Sequence, residues 1–561
     1  LKNSSKYSSL HINLSIRVGI NTGMVTTGAI GKEREGDYTV YGDSVNLASR
    51  MESNAPSNTI MLPEETMTLV STYFHFKDHG SIEVKGKSKP ISVFIVESKK
   101  DLEVKHSTPF IGRESEMQKM NEVYNKALKN LTNDAFNKIH FISSVADAGV
   151  GKSRLVYEFI QNNANIQADN SFSIAHASNI SSQPYYLFIT LLKDIFKISE
   201  VDSLSVSKEK LDRKIKEIED FTKISLQNSL PFIGFLLGIK YEDERLNNRE
   251  EIQNNINISI RTLLEAVCQF TNLKDKPYIF ILDDLHWIDN MSMELLVFLV
   301  STFDFKNKNV NKNKAYPLFL LTFRSHYTIP EKLLNEIEYT QMDLKPLTKE
   351  HSLDLINYLT KDIDLDEEKK KELYEKSRGN PFFIEEWVNL IQEKNTYAEV
   401  LEESRGINEY SIPNSINALI LARIDGLDKT LKSLLQKATI IGEDFFLQIL
   451  SKLEQKLGLD EHIDKPVHDL EDENFIQHFI NQLDHYKFKH ILTRDVAYST
   501  ILKSNKKILH KSVAEVIEEN FQDKLEMFYF DLAIHYDMSG NNEKAIEFLM
   551  LAGLKNFFIF D

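Results

Sequence analysis

Residues 146–153 read Ala-Asp-Ala-Gly-Val-Gly-Lys-Ser, and they restrict the fold more than any other stretch. A strand-length apolar run, Ile139–Ile142, precedes them, and a helical pattern from about Ser153 to Asn163 comes after. Strand, glycine turn and helix in that order are the context a phosphate-binding loop requires. Glycines let consecutive N–H groups turn toward phosphate oxygens, and the helix N-terminus adds partial positive charge. In such a loop Gly149, Val150 and Gly151 line the phosphates, Lys152 reaches the β- and γ-phosphates of ATP, and Ser153 ligates Mg²⁺. The place of the usual first glycine is held by Ala146; an alanine forced to positive φ there would cost on the order of 1 kcal/mol, but Gly149 and Gly151 are kept, and Ala146 reads as a tolerated variation.

A second apolar run, Tyr278–Leu282, ends in Asp283-Asp284. A carboxylate at the C-terminal end of a buried parallel strand stands where ligands bind in open α/β sheets. Asp283 is therefore expected in the Mg²⁺ shell, and Asp284 beside the attacking water. With Leu318–Phe323 as a further run, the middle of the chain reads as a parallel sheet flanked by helices.

The 561 residues suffice for three or four domains, and 42% hydrophobic with 27% charged residues is ordinary for globular protein. A formal charge of −16 argues against broad nucleic-acid binding or attraction to an anionic membrane, so phosphate binding has to be local. The single cysteine, Cys268, cannot form an internal disulfide, which suits a reducing, cytoplasmic setting. No apolar run approaches the roughly 18–20 residues of a membrane span, and no signal peptide is recognisable. The chain opens on Leu1 and closes on Phe560-Asp561 inside an apolar run, which reads as truncation at both ends. The sixteen histidines show no metal spacing, and no nucleophile elbow marks a hydrolase. His286, next to the acidic pair, is expected to pack or cap.

Residues 1–97 read as α+β, with strands at Ser15–Ile20, Asp37–Val40 and Ile91–Val96 and a helix from Ser44 to Ser53. Ser98–Pro109 is polar, lacks apolar periodicity and reads as a linker. Phe305–Lys314 reads as a solvated loop. Beyond Leu344 the pattern is almost entirely helical, apart from strand-like residues near Tyr486–Phe488. Phe528–Gly553 reads as an antiparallel helix pair that turns at Ser539-Gly540-Asn541, the possible first unit of a helical solenoid.

Leu282-Asp-Asp-Leu-His-Trp-Ile-Asp289 resembles the acidic strand of STAND-type signalling NTPases. Phe110-Ile-Gly-Arg-Glu114, Leu321-Thr-Phe-Arg324 and Arg378-Gly-Asn-Pro-Phe382 resemble their opening motif, sensor strand and helical lid. Ile412–Ile416 and the stretch from Phe488 to Tyr498 fit the helical and winged-helix part that comes next in such proteins. The resemblance covers about residues 108–520. It implies an ATP-binding switch with Arg324 as sensor; turnover is left open.

Ile16-Arg-Val-Gly-Ile-Asn-Thr-Gly23, Asp37 through Arg50 and Val84-Lys-Gly-Lys87 together resemble class III nucleotide cyclases over residues 13–97. The resemblance implies that Asn46 orients the ribose, Arg50 stabilises the transition state and Lys85 contacts the terminal phosphates. Asn46 and Arg50 are four apart, on one helix face. In the cyclase reaction the ribose 3′-oxygen attacks the α-phosphorus and pyrophosphate leaves. A fixed guanidinium neutralises the charge that builds on the phosphoryl oxygens. Thr39 takes the purine-reading place and resembles the bicarbonate-responsive soluble adenylyl cyclases, whose order of domains is also matched. Its hydroxyl donates or accepts, so ATP and GTP both stay open. Asp37 and Asp43 do not match the family's metal aspartates, so Mg²⁺ or Mn²⁺ for cyclisation is expected from a complementary cyclase domain upstream.

The expected organisation is thus multidomain α/β and α: a partial class III cyclase α+β domain at 1–97, a linker at 98–109, a P-loop NTPase at 110–345, a helical lid and winged-helix-like region at 346–520, and a TPR-like start at 521–561. The expected function is part of a soluble purine nucleotide cyclase making cAMP from ATP, with protein partners for the helical tail and neither nucleic acid nor membrane span. A guanylyl cyclase of the same layout and a non-catalytic scaffold with a degenerate cyclase remnant are the alternatives. A transcription regulator is disfavoured by the negative charge.

Overall fold

The computed structural model describes residues 15–23, 25–30, 37–70, 74–82, 90–99, 108–130, 139–163, 166, 171–178, 183–247, 249–272, 277–303, 317–361, 363, 365–400, 412–413, 415–459, 463–479 and 482–557. Lys85 with its Val84–Lys87 segment, the loop Phe305–Lys314 and most of the expected linker lie outside them. Two compact units result, one of residues 1–105 with 478–483 and one of the remainder.

In the first unit, β1 (Arg17–Gly19), β4 (Thr59–Pro63), β6 (Ile91–Lys99) and β5 (Phe74–Ile82) form a sheet in the order β1-β4-β6-β5. The β1–β4 pair is parallel and the others are antiparallel. β2 (Thr26–Ile30) and β3 (Asp37–Tyr41) form a separate antiparallel pair, in which Gly28 faces Thr39. The helix Asp43–Asn54 buries Met51 at its core, beside Leu47 and Ala55, against Met61, Val93 and Ile95. It lies so close to β1 that a Cβ on Gly19 would come within 2.1 Å of the Glu52 backbone nitrogen, so only glycine fits there. The expected linker begins later than the composition suggests, because β6 keeps pairing with β5 through Ser98 and Lys99.

The second unit is organised by a five-stranded sheet in the order β11-β7-β10-β9-β8, parallel throughout. β7 (Ile139–Val145), β9 (Ile279–Asp283) and β10 (Leu318–Phe323) are buried along their whole length, as continuous apolar runs require. β8 (Phe172–His176) and β11 (Ile337–Asp343) were not expected. Both are edge strands with alternating or partial burial, so neither carries the unbroken apolar signature. One face of the sheet packs on the helices Glu114–Asn130 and Lys152–Asn162, and the other on Tyr186–Phe196, Leu204–Thr222 and Arg249–Asn272.

Helices dominate past Leu344, interrupted by a three-stranded sheet in the order β12-β14-β13, built from β12 (Asp444–Phe446), β13 (Ile476–Phe479) and β14 (Gln482–Phe488). Two of its strands lie outside the expected pieces near Tyr486–Phe488. The helices Lys503–Asn520, Tyr529–Ser539 and Asn542–Phe557 then pack in succession, with Gly540 closing the middle one at φ 83°. No helix among the described residues is long and apolar enough to cross a membrane.

Buried polar contacts tie this region together. Arg423 is 1% exposed and donates 2.8 Å to Glu386 and 2.5 Å to the Glu473 carbonyl, with its guanidinium over the Phe475 ring. His510 and His535 face each other through their Nδ1 atoms at 2.9 Å, with Tyr498 Oη 3.0 Å from His510 Nε2. Burial, reinforced by neighbouring positive charge, pushes His510 down to about 4. Burial and then His510 push His535 down to about 3.

Removing one partner of a buried ion pair leaves a stranded charge, so Arg423→Ala should destabilise the second unit by about 3–5 kcal/mol in denaturant titrations. Because both histidines are neutral when folded and basic when unfolded, this pair binds more protons in the unfolded chain between pH 6.5 and 4. The pair should therefore withdraw roughly 4 kcal/mol of stability between pH 7 and pH 5, while the buried carboxyls of Glu443 and Asp531, raised to about 8 and about 7, act in the opposite direction. His535→Leu should remove about half of the histidine contribution, read as the difference in denaturant stability between variant and parent at pH 7 and at pH 5.

Candidate functional site

β7 delivers the glycine loop to the C-terminal edge of the sheet. Gly149 and Gly151 adopt left-handed conformations, at φ 82° and 103°, and turn the intervening amides to one side. Ala146 is not among the positive-φ residues, so the substitution carries no backbone strain, in keeping with its reading as a tolerated variation. It still continues the strand, with its N–H donating to the Phe323 carbonyl at 3.3 Å. The helix Lys152–Asn162 starts from Gly151 without a side-chain cap, which leaves its first amides for a ligand.

The loop carbonyls are occupied. Lys152, 9% exposed, donates from Nζ to Ala146 O at 2.9 Å and Asp147 O at 3.2 Å. Asn380 donates from Nδ2 to Ala148 O at 3.2 Å, so the Arg378–Phe382 motif reaches the loop from 232 residues away. Arg113, in the opening motif, is buried and donates from Nη2 to Val150 O at 3.1 Å and Lys345 O at 2.8 Å. A Cβ on Gly149 would meet Asn380 Oδ1 at 2.9 Å.

β10 lies between β7 and β9, so the acidic tip is two strand spacings, about 10 Å, from the loop strand. The helix that starts at Lys152 closes that gap. Ser153 Oγ donates to the Asp283 carboxylate at 3.3 Å, across 130 residues of sequence. Thr322 Oγ also donates to Asp283 and accepts the Asp284 N–H at 3.0 Å, and His176 Nδ1 lies 3.6 Å from Asp283 Oδ2. Burial alone would raise the Asp283 carboxyl, but His176, Lys487 and the Thr322 hydroxyl together hold it well below the ordinary value. Asp284, at φ 55°, is pushed the other way by burial and by the charge of Asp283. Burial also lowers Lys152, opposed by both aspartates. Arg324 lies over the Trp287 ring, 5.2 Å from its centroid.

The structure thus brings Gly149–Ser153, Asp283, Asp284 and Arg324 to one edge of the sheet. Asn46 and Arg50 share the helix Asp43–Asn54 of the first unit, and both are exposed. Thr39 is on β3 in that unit, while Lys85 lies outside the described residues. His176, Thr322 and Lys487 escaped the sequence reading. His176 ends the unexpected edge strand β8, and Thr322 is hidden inside an apolar run. His286 packs, with its ring 4.3 Å from that of Trp287, but caps nothing.

Residues 2–98 match the family described as adenylate and guanylate cyclase catalytic domain, and residues 109–310 match the AAA ATPase domain. The parallel sheet continues past that second match through β10 and β11. An uncharacterized protein of Rhizobium meliloti is 22% identical over 96% of this chain and 50% of its own length. The aggregation-specific adenylate cyclase of Dictyostelium discoideum is 40% identical over 17% of this chain and 7% of its own. The beta-2 subunit of soluble guanylate cyclase from Rattus norvegicus is 41% identical over 15% and 12%. The chain therefore spans half or less of the length of these relatives.

An alanine at Gly151 meets no neighbour and bears only its φ, at about 1 kcal/mol, whereas one at Gly149 also collides with Asn380. Gly149→Ala should therefore weaken Mg–ATP binding several-fold more than Gly151→Ala in fluorescence titrations.

Proposed function

We propose that this chain is the closing part of a purine nucleotide cyclase joined to an ATP-binding switch module. The observation that carries the second half is the Ser153 hydroxyl 3.3 Å from the Asp283 carboxylate, at the end of a glycine loop that opens a helix without a side-chain cap. These are hard oxygen donors of the kind Mg²⁺ prefers, so Ser153 and Asp283 are the residues that would hold it. The ion would neutralise charge on the β- and γ-phosphates of ATP. Lys152 would exchange its loop carbonyls for the terminal phosphates, Asp284 would orient water, and Arg324 would report on the nucleotide. Residues 346–520, read as lid and winged helix, would carry that report onward. The helix pair after residue 521, read as TPR-like, would offer a surface to protein partners in the cytoplasm.

For the first unit, the cyclase-domain match and the exposed Asn46 and Arg50 on one helix support a role as the half-site that orients ribose and neutralises the transition state. Lys85 would contact the terminal phosphates and Thr39 the purine. Neither Asp37 nor Asp43 suits the metal positions, so the metal-binding half would come from a complementary domain. ATP as substrate and cAMP as product accord with the resemblance to bicarbonate-responsive soluble adenylyl cyclases. GTP is kept as a second reading by the comparable likeness to a guanylate cyclase subunit.

Lys152→Ala and Asp283→Ala should each weaken Mg–ATP binding at least tenfold in calorimetric titrations. Unchanged affinity in both would remove the switch-module reading. Supplied with Mg²⁺ or Mn²⁺ and either ATP or GTP, the chain alone should make neither cAMP nor cGMP. Clear production of either would overturn the half-site assignment.

A further inference from the structure

His286 is distinctive among the buried polar groups. Its side chain is 2% exposed, and among the described residues it is the one side chain in which two buried polar atoms, Nδ1 and Nε2, both lack a hydrogen bond. Nδ1 lies 3.8 Å from Asp284 Oδ1, beyond hydrogen-bond length. The ring packs on Trp287 and meets the His326 ring edge-on at 5.9 Å. Orphaned buried donors and acceptors are costly and call for a partner that completes them.

The surroundings indicate which partner. His286 sits in the short turn Leu285–Trp287 that follows the acidic strand, within electrostatic reach of Lys152 and Arg324. Burial, and then the charges of Arg324 and Lys152, push it down to about 4, so the ring is neutral, with one N–H donor and one lone pair. It thus shares the electrostatic environment of the residues assigned to ATP, while the amides of Gly149–Ser153 already serve the inner phosphates. In P-loop sites generally, the acidic strand serves the terminal phosphates of the nucleotide.

We propose that His286 is the contact by which this site tells a nucleoside triphosphate from a diphosphate, its ring N–H donating to a terminal phosphoryl oxygen. The inference rests on the ATP-binding reading and adds to it a discriminating residue, separate from the Mg²⁺ donors Ser153 and Asp283. A neutral donor suits the task, because its bond exists only when the terminal group is present and it adds no charge that would hold a diphosphate as firmly.

The test uses the full chain and calorimetry with Mg–AMP-PNP and Mg–ADP. His286→Phe keeps the ring packed on Trp287 and removes only the polar atoms. It should weaken AMP-PNP binding roughly tenfold and leave ADP within twofold, with a melting temperature equal to or above that of the parent. His286→Gln, which restores an N–H, should recover most of the loss. Equal loss for both nucleotides, loss for neither, or a glutamine variant as weak as phenylalanine would overturn the assignment while leaving ATP binding intact. A parent chain that binds neither nucleotide would remove the ATP-binding reading itself, and this inference with it.

Discussion

A loop that aims its amides at a ligand must give its carbonyls to something else. Here Lys152 takes those of Ala146 and Asp147, Asn380 that of Ala148, and Arg113 that of Val150. All three donors are side chains, drawn from the loop's own helix, from the segment before the sheet and from the helical region after it. The geometry of Gly149–Ser153 is therefore a property of the whole second unit. The acidic side is built on the same plan: β9 supplies Asp283, and Thr322, Ser153 and His176 fix its two oxygens.

This sharing couples the loop to the lid. Asn380 holds Ala148 through its amide nitrogen, while its oxygen accepts the N–H groups of Phe382 and Phe383 at the start of the next helix. A change at the phosphates that moves the loop carbonyl would act directly on that helix start. Lys152 adds a second coupling, because a lysine bonded to its own loop has to leave two carbonyls before it can serve a phosphate.

Elements buried on both faces were legible from the sequence. β7, β9 and β10 read as unbroken apolar runs, and the glycine loop and the acidic pair were placed by their positions at the C-terminal ends of β7 and β9. Edge strands were not legible, since Phe172–His176 and Ile337–Asp343 mix apolar and polar residues as half-covered strands do. The roles of Arg113 and Asn380 as carbonyl clamps were beyond reach for a different reason. Both stood in recognised motifs, but spacing along a chain does not state which backbone atom a side chain meets in space. The alanine at position 146 was read as tolerated, and the structure supplies the reason: its N–H pairs with the Phe323 carbonyl of β10 and its φ is not positive.

The clamp from Asn380 has a bearing on biosynthesis. A nascent chain released from the ribosome only as far as β10 would contain the glycines, Lys152, Ser153 and the acidic strand, yet Ala148 would still lack its donor 232 residues downstream. Closing contacts so distant in sequence is slow relative to local helix formation. The pocket is thus completed only after the chain has been made through Asn380, well after its glycines and its acidic strand. Until the residues around Asn380 emerge and dock, the Ala148 carbonyl lacks its clamp, while Lys152 and Arg113 are already at hand for the carbonyls on either side.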